Sequence, residues 1–287
     1  MTNRTVAIIQ ARMASSRLPG KVLMDLAGMP MLGRVVERTR QARSTDAVLV
    51  ATTDQPSDDP IVEYCKTSRI DVVRGSHFDV LDRYYAAAQA AQAAIIIRIT
   101  ADCPLIDPGL IDDTVAALLG KAGAGVGSSD AQAAAFDFAA NRLPPPWNRT
   151  YPIGLDTEAC TMAALAQAWR EAKDPVEREH VMPFLYEGVL LREAAPLLWS
   201  GVSSHGFRVA VLQHTVDLGS LRWTVDTADD LEFIRRVLGF LVDFPTYGWL
   251  DVVELVKAHP ELAEINANVQ HKTLWDVDAR GLGPKNT

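Results

Sequence analysis

Excess positive charge is missing from this chain: 28 lysines and arginines face 36 acidic residues, a formal net charge of −8 at neutral pH. That balance excludes a protein that coats nucleic acid or an anionic membrane surface. Cysteine is scarce as well. Cys65, Cys103 and Cys160 stand far apart without a CxxC pair, so neither a disulfide framework nor a zinc knuckle is expected. No apolar stretch approaches the roughly 20 residues that span a bilayer. The first apolar run, beginning at Thr5, is too short for a signal peptide. No internal repeat is visible. These absences predict a cytoplasmic, reducing setting, with no nucleic acid partner and no membrane insertion. Two phosphate-binding signatures are missing too. Gly20-Lys21 is followed by Val22 and lacks the earlier glycine of a Walker A loop, and no GxGxxG fingerprint occurs.

What remains is a 287-residue chain, 48% apolar, long enough to bury a substantial core in one large domain. TVAIIQ (5–10), AVLVATT (47–53), IDVVRG (70–75) and AIIIRIT (94–100) read as strands. PMLGRVVERTRQA (30–42), DPIVEYCKTS (59–68, behind Asp58), FDVLDRYYAAAQAAQA (78–93) and DPGLIDDTVAALLG (107–120) carry helical spacing. Continuous apolar strands alternating with helices predict an α/β fold whose parallel sheet is covered on both faces. From Lys121 to Pro152 the chain turns Ala- and Gly-rich, then Pro-rich, with one predicted strand at 136–141. Beyond it, 164–172, 175–188, 229–242 and 248–259 predict helices and LRWTVDT (221–227) a strand. The polar tail from Asn266 is expected to be peripheral.

In such sheets ligands sit beyond the carboxyl ends of the strands. Directly after the first strand come Arg12, Arg17 and Lys21, within ten positions, spaced by small Ala14, Ser15 and Ser16 and by Pro19-Gly20. Small residues let backbone N–H groups approach phosphate oxygens, and Pro-Gly turns the chain so that Lys21 returns over a bound anion. Three cations suit a nucleoside triphosphate, whose charge must be screened before a nucleophile reaches phosphorus. A triphosphate calls for Mg²⁺, and Mg²⁺ for carboxylates. Asp102 follows the fourth strand and Asp226 ends the predicted strand at 221–227. Asp102 is equally a turn former before Pro104, and Asp226 equally part of a helix start.

IIQARMASSRLPGKVL, DVLDRYY, RITADCPLIDP, RTYPIGLDTE, EREHV and LRWTVDTADDLEFI occur in this order. Together they resemble the spore-coat polysaccharide biosynthesis protein F family, cytidylyltransferase-like proteins similar to CMP-Kdo and CMP-sialic acid synthetases. The resemblance implies a nucleotide-diphospho-sugar transferase (GT-A/Rossmann-like) three-layer fold with a mainly parallel sheet. It implies one nucleotidyltransferase domain over 1–260, a dimerisation and acceptor extension at about 136–190, and a peripheral tail at 261–287. The implied reaction is Mg²⁺-dependent transfer of CMP from CTP to a sugar, with release of pyrophosphate, by a homodimer.

By matching position, Arg12, Lys21, Asp102 and Asp226 are the catalytic candidates, with Asp102 and Asp226 as the metal pair. Gln10, Ala11, Ser15, Ser16, Arg17, Asp79 and Arg83 join Arg12, Lys21 and Asp102 around the nucleotide. An acidic acceptor sugar calls for an arginine fork. Arg149 and Arg178 are candidates, with Tyr151, Asp156, Glu179 and His180 as hydroxyl partners. Ala14 and Ala101 stand where the family usually has glycine, and a methyl group there would crowd a close phosphate or exclude positive φ. Two further readings stay open: a GT-A-like glycosyltransferase using a nucleotide-sugar, and a non-catalytic nucleotide-binding subunit of a polysaccharide-assembly complex.

Overall fold

The computed structural model describes residues 4–121, 135–244 and 246–270. β1 (Thr5–Gln10) is followed by a hairpin of β2 (Asp25–Leu26) and β3 (Met29–Pro30). Then come α1 (Met31–Arg40), β4 (Ala47–Thr53), α2 (Asp59–Thr67), β5 (Asp71–Gly75), α3 (Val80–Ala90), β6 (Ile95–Thr100) and α4 (Pro108–Leu118). The second half adds β7 (Phe138–Ala140), β8 (Glu158–Thr161), α5 (Met162–Glu171), α6 (Pro175–His180) and α7 (Pro183–Tyr186). It closes with β9 (Arg192–Ala195), β10 (Leu198–Val202), β11 (Arg208–Leu212), α8 (Ala228–Leu241), α9 (Trp249–Ala258) and α10 (Pro260–Glu264).

Nine strands form one sheet in the order β5-β4-β1-β6-β8-β7-β11-β10-β9. β5, β4, β1 and β6 pair in parallel, as do β7 and β11. β8 and β10 run against their neighbours, so seven of the nine strands point one way. Burial of β1 on both faces follows from its alternation: Ala7 and Ile9 join a core with α1, α2, α4 and α8, whereas Val6 and Ile8 join one with α3, α5 and α7. The result is the expected three-layer α/β fold. Asp79 caps α3, Asp107 caps α4, and Thr227 with Asp230 forms a reciprocal capping box on α8.

Four expectations change. The helix expected over 175–188 divides into α6 and α7 at Val181, whose φ is +72°. Pro183 has no N–H to continue the ladder, and its ring would strike the Glu179 carbonyl in an unbroken helix. Residues 221–227 are not a sheet strand: they form one isolated bridge, Arg222 to Ile153, and otherwise run extended across the strand ends. The C-terminal segment expected to be peripheral buries Leu262 and Asn266 within its described part, which ends at Gln270. Strands β8 to β11 were not expected; each is five residues or shorter, β9 is mostly exposed, and only β11 (RVAVL) carries a continuous apolar run.

Residues 136–190, expected to hold an extension, contribute β7 and β8 to the sheet, and α5 and α6 lie against α3. Part of the Ala- and Gly-rich segment (122–134) and everything after Gln270 lie outside the described residues. Among the described residues no helix is long and apolar enough to cross a membrane.

Candidate active site

After Gln10 the chain leaves β1, turns, and returns at Lys21. Its own backbone holds the turn: Ser15 N and Gly20 N donate to Met13 O at 3.0 and 2.9 Å, and Ala11 N donates to Ala51 O at 3.1 Å. Gly20 sits at φ +72°, a conformation that favours glycine. Asp58 braces the turn from beneath. Its buried carboxylate accepts from Met13 N at 2.8 Å and also from Thr52, Thr53 N and the Thr53 hydroxyl. Sequence spacing places Asp58 merely ahead of α2, yet its side chain makes no cap there. Neither Ala14 nor Ala101 has positive φ, so this backbone accepts alanine at both places.

Lys21 reaches inward from the turn and finds both predicted aspartates. Its Nζ donates to Asp102 Oδ2 at 3.0 Å, Asp226 Oδ1 at 2.9 Å and Val225 O at 2.6 Å. Asp226, 124 positions further along, is brought there by the extended crossing: Val225 N donates to Asp102 O at 2.8 Å, and Thr224 Oγ1 to the same oxygen at 3.2 Å. On its other side Trp223 N donates to Ile153 O at 2.7 Å, beside Gly154 at φ +103°. A methyl group on Gly154 would lie 2.5 Å from Thr224 N, so the two segments approach this closely only around glycine.

Electrostatics at this point are concentrated. Burial alone would lower the Lys21 pKa, but Asp102 and Asp226 outweigh it and hold the ammonium above its ordinary value. Burial alone would raise Asp226; Lys21 first, then Arg17 and Arg222, bring it down to about 2. Arg17 Nη2 lies 2.8 Å from Asp226 Oδ2, and Arg222 Nη2 is equally close to that oxygen. Arg222, absent from the sequence-based candidates, is bound in turn by the wholly buried Asp230.

Gln10, at the end of β1, buries an Oε1 that has no hydrogen-bond partner among the described residues. On the same sheet face Arg83 is buried; burial foremost lowers its pKa, and the nearby Arg12 charge adds to this. Asp79 caps α3 with one oxygen and takes the Arg178 guanidinium on the other, and Arg178 also donates to Trp169 O at 2.7 Å. That pair fastens α6, with Glu179 and His180, to the start of α3. Ser15 Oγ accepts from Leu18 N at 3.4 Å, and Ser16 is exposed.

Arg149 and Asp156 do come together. Both Arg149 Nη atoms reach the Asp156 carboxylate, and Arg142, not among the candidates, donates its Nε there at 2.9 Å. Burial first, then the charges of Asp102 and Asp156, push the Cys103 thiol up, and Cys103 Sγ lies 3.7 Å from Asp102 Oδ1. Tyr151 packs against His214 and Trp249, its hydroxyl donates to Gln213 O at 3.2 Å, and burial pushes its pKa up to about 12. It is a core residue. Arg142 follows β7 by two positions, and no sequence motif marks it.

Asp102 and Asp226 fit a divalent cation. Both already converge on one ammonium, and carboxylate oxygens are the donors Mg²⁺ prefers.

A cytidylyltransferase family profile matches residues 6–239. The chain is 28% identical over 268 residues to the spore coat polysaccharide biosynthesis protein SpsF of Bacillus subtilis, covering 91% of this chain and 97% of that one. It is 31% identical over 272 residues to a 3-deoxy-manno-octulosonate cytidylyltransferase of Verminephrobacter eiseniae, covering 82% and 95%. A solved cytidylyltransferase from Leptospira borgpetersenii superposes with a TM-score of 0.74 at 28% identity, covering 93% of this chain and 99% of that one. The fold is therefore that of nucleotide-diphospho-sugar transferases, and the activity is nucleotidyl transfer. Likeness over nearly the whole length, on a sheet whose strand ends gather one cationic turn and two distant aspartates, leads to one assignment: this chain belongs to the cytidylyltransferase family.

Proposed function

We propose that this protein transfers CMP from CTP to a hydroxyl of an acidic sugar, with release of pyrophosphate, for surface polysaccharide or glycan synthesis. The observation behind this reading is the convergence of Asp102 and Asp226 on Lys21 beneath the 11–20 turn. Asp102 and Asp226 would hold Mg²⁺, which when bound screens phosphate charge. Arg12, Arg17 and Lys21 receive the triphosphate, and Lys21 and Arg12 offset charge on the departing pyrophosphate. A bond forms between the acceptor oxygen and the α-phosphorus while the bridge to the β-phosphate breaks; the hydroxyl loses its proton. Gln10 Oε1, a buried acceptor lacking a donor, suits the amino group of cytosine.

Two guanidiniums, Arg142 and Arg149, share the Asp156 carboxylate, one positive charge more than that carboxylate carries. An acceptor carboxylate satisfies that excess. The names of the relatives from Bacillus subtilis and Verminephrobacter eiseniae, a spore coat polysaccharide protein and a 3-deoxy-manno-octulosonate cytidylyltransferase, agree with a sugar acceptor. A homodimer is expected, to be checked by light scattering. The deciding experiment measures pyrophosphate release from four nucleoside triphosphates against acidic, amino and phosphorylated sugars, with and without Mg²⁺. Release that needs CTP, an acidic sugar and Mg²⁺ is the expected result. Turnover of a preformed nucleotide-sugar without pyrophosphate would overturn it.

A further inference from the structure

The segment beyond α10 sends Asn266 into the interior, where it meets a buried charged pair. Asn266 Nδ2 donates to Asp230 Oδ1 and to Arg222 O, both at 3.0 Å. Asp230 is fully buried, and its carboxylate is saturated. Oδ1 also accepts from Arg222 Nε at 2.8 Å. Oδ2 accepts from Arg222 Nη2 at 3.1 Å, Asp226 N at 2.9 Å, Thr227 N at 3.0 Å and Thr227 Oγ1 at 3.1 Å. Arg222 Nη2 then continues to Asp226 Oδ2 at 2.8 Å.

An uncharged residue can complete a capping box, whereas a buried carboxylate with its own arginine is costly to desolvate. What the charged arrangement adds is control of Asp226, which sits on a connection outside the sheet ladder. Asp230 grips the Asp226 backbone, and Arg222 grips its side chain. Asn266 locks the two grips to each other from a part of the chain 36 positions beyond Asp230.

We infer that Arg222, Asp230 and Asn266 form a buried bracket that positions Asp226 for its cation, making the segment after the last helix a working part of the active centre. This inference rests on the reading of Asp226 as a metal-holding residue. Partners that orient metal-binding groups are typically worth 10–100-fold in affinity or activity. Asn266 is a positioning residue: its contacts reach the centre only through Arg222 and Asp230.

The test is a double-mutant cycle read by Mn²⁺ binding, using electron paramagnetic resonance on the full chain. Asn266→Ser and, separately, Arg222→Lys are made in the parent and in Asp226→Ala. Lysine keeps the charge beside Asp230 but cannot span both carboxylates as the fork does. Each single substitution should weaken Mn²⁺ binding about 10-fold or more, yet change it less than about twofold once Asp226 is alanine. The Mg²⁺ concentration for half-maximal pyrophosphate release should rise in parallel, with CTP saturation shifted less. Equal weakening in both backgrounds would mark a merely structural role and overturn the inference, as would unchanged affinity in folded variants. Unchanged Mn²⁺ affinity in Asp226→Ala alone would instead refute the underlying metal reading, and the inference with it. Melting curves identify any variant that fails to fold, and the other substitution then decides through the same cycle.

Discussion

Replacing Lys21 with methionine removes the ammonium that touches both Asp102 and Asp226 while keeping most of the side-chain volume. At 3.0 and 2.9 Å, and with an effective dielectric near 20, each attraction is worth roughly 5–6 kcal/mol before desolvation. Withdrawing the ammonium from water offsets much of that sum, and breaking a buried pair by removing one partner costs about 3–5 kcal/mol. The deficit is electrostatic: Asp102 loses its lysine partner, while Asp226 keeps Arg17 and Arg222. In a domain of this size each kcal/mol moves the midpoint by about 2–4 °C, so Lys21→Met should melt about 6–20 °C lower in EDTA. On the proposed metal reading, millimolar Mg²⁺ should recover more of that loss in the variant than it adds to the parent, because Asp102 and Asp226 would then hold the cation without a competing ammonium. Pyrophosphate release should fall by about 100-fold or more. A variant melting within about 2 °C of the parent in EDTA would refute the reasoning, because the carboxylates would then not depend on Lys21 for neutralisation.

Gly154→Ala places a methyl group 2.5 Å from Thr224 N at φ +103°, so it should cost about 2 kcal/mol or more and weaken metal binding together with stability; chemical denaturation and Mn²⁺ titration check both. Asp226 and Asp230 have pKa values held below the ordinary carboxylate range, Asp226 at about 2. Their stabilisation is therefore complete above about pH 4 and lost as pH falls toward 2, on the order of 2 kcal/mol for Asp226; urea midpoints should be level from pH 7 to 5 and fall below 4, and a level acid limb would contradict this. All three cysteines are free and buried, with Cys65 pushed up to about 11 by burial, so a thiol reagent at pH 8 should find almost none until the protein is unfolded, then three. Asp58→Ala leaves Met13 N, Thr52 and Thr53 without their shared acceptor and should both weaken nucleotide binding and lower stability, each by about 1–3 kcal/mol, measured by calorimetry with CTP and by chemical denaturation.

Strands β1, β4, β5 and β6, the helices between them, and the meeting of Arg17 and Lys21 with Asp102 and Asp226 were legible in the sequence. Apolar runs of strand length and cations spaced by small residues are local patterns, and a parallel sheet puts the turn after β1 at the ligand-binding edge. Local pattern failed where distant contacts decide. TVAIIQ and LRWTVDT look alike as β-rich runs, yet the first finds two ladder partners and the second crosses the strand ends, with its donors met by Ile153 and Asp102. Asp58 and Asp230 read as helix starts; only packing turns one beneath the 11–20 turn and buries the other against Arg222. Arg178 and Arg149 are equal in sequence, and the fold gives one to Asp79 and the other to Asp156. Residue types and spacing thus determine which groups are available for nucleotidyl transfer. Which of them meet is settled by the tertiary structure, because a charge of short reach acts only on the neighbours that chain crossing brings within a few ångströms.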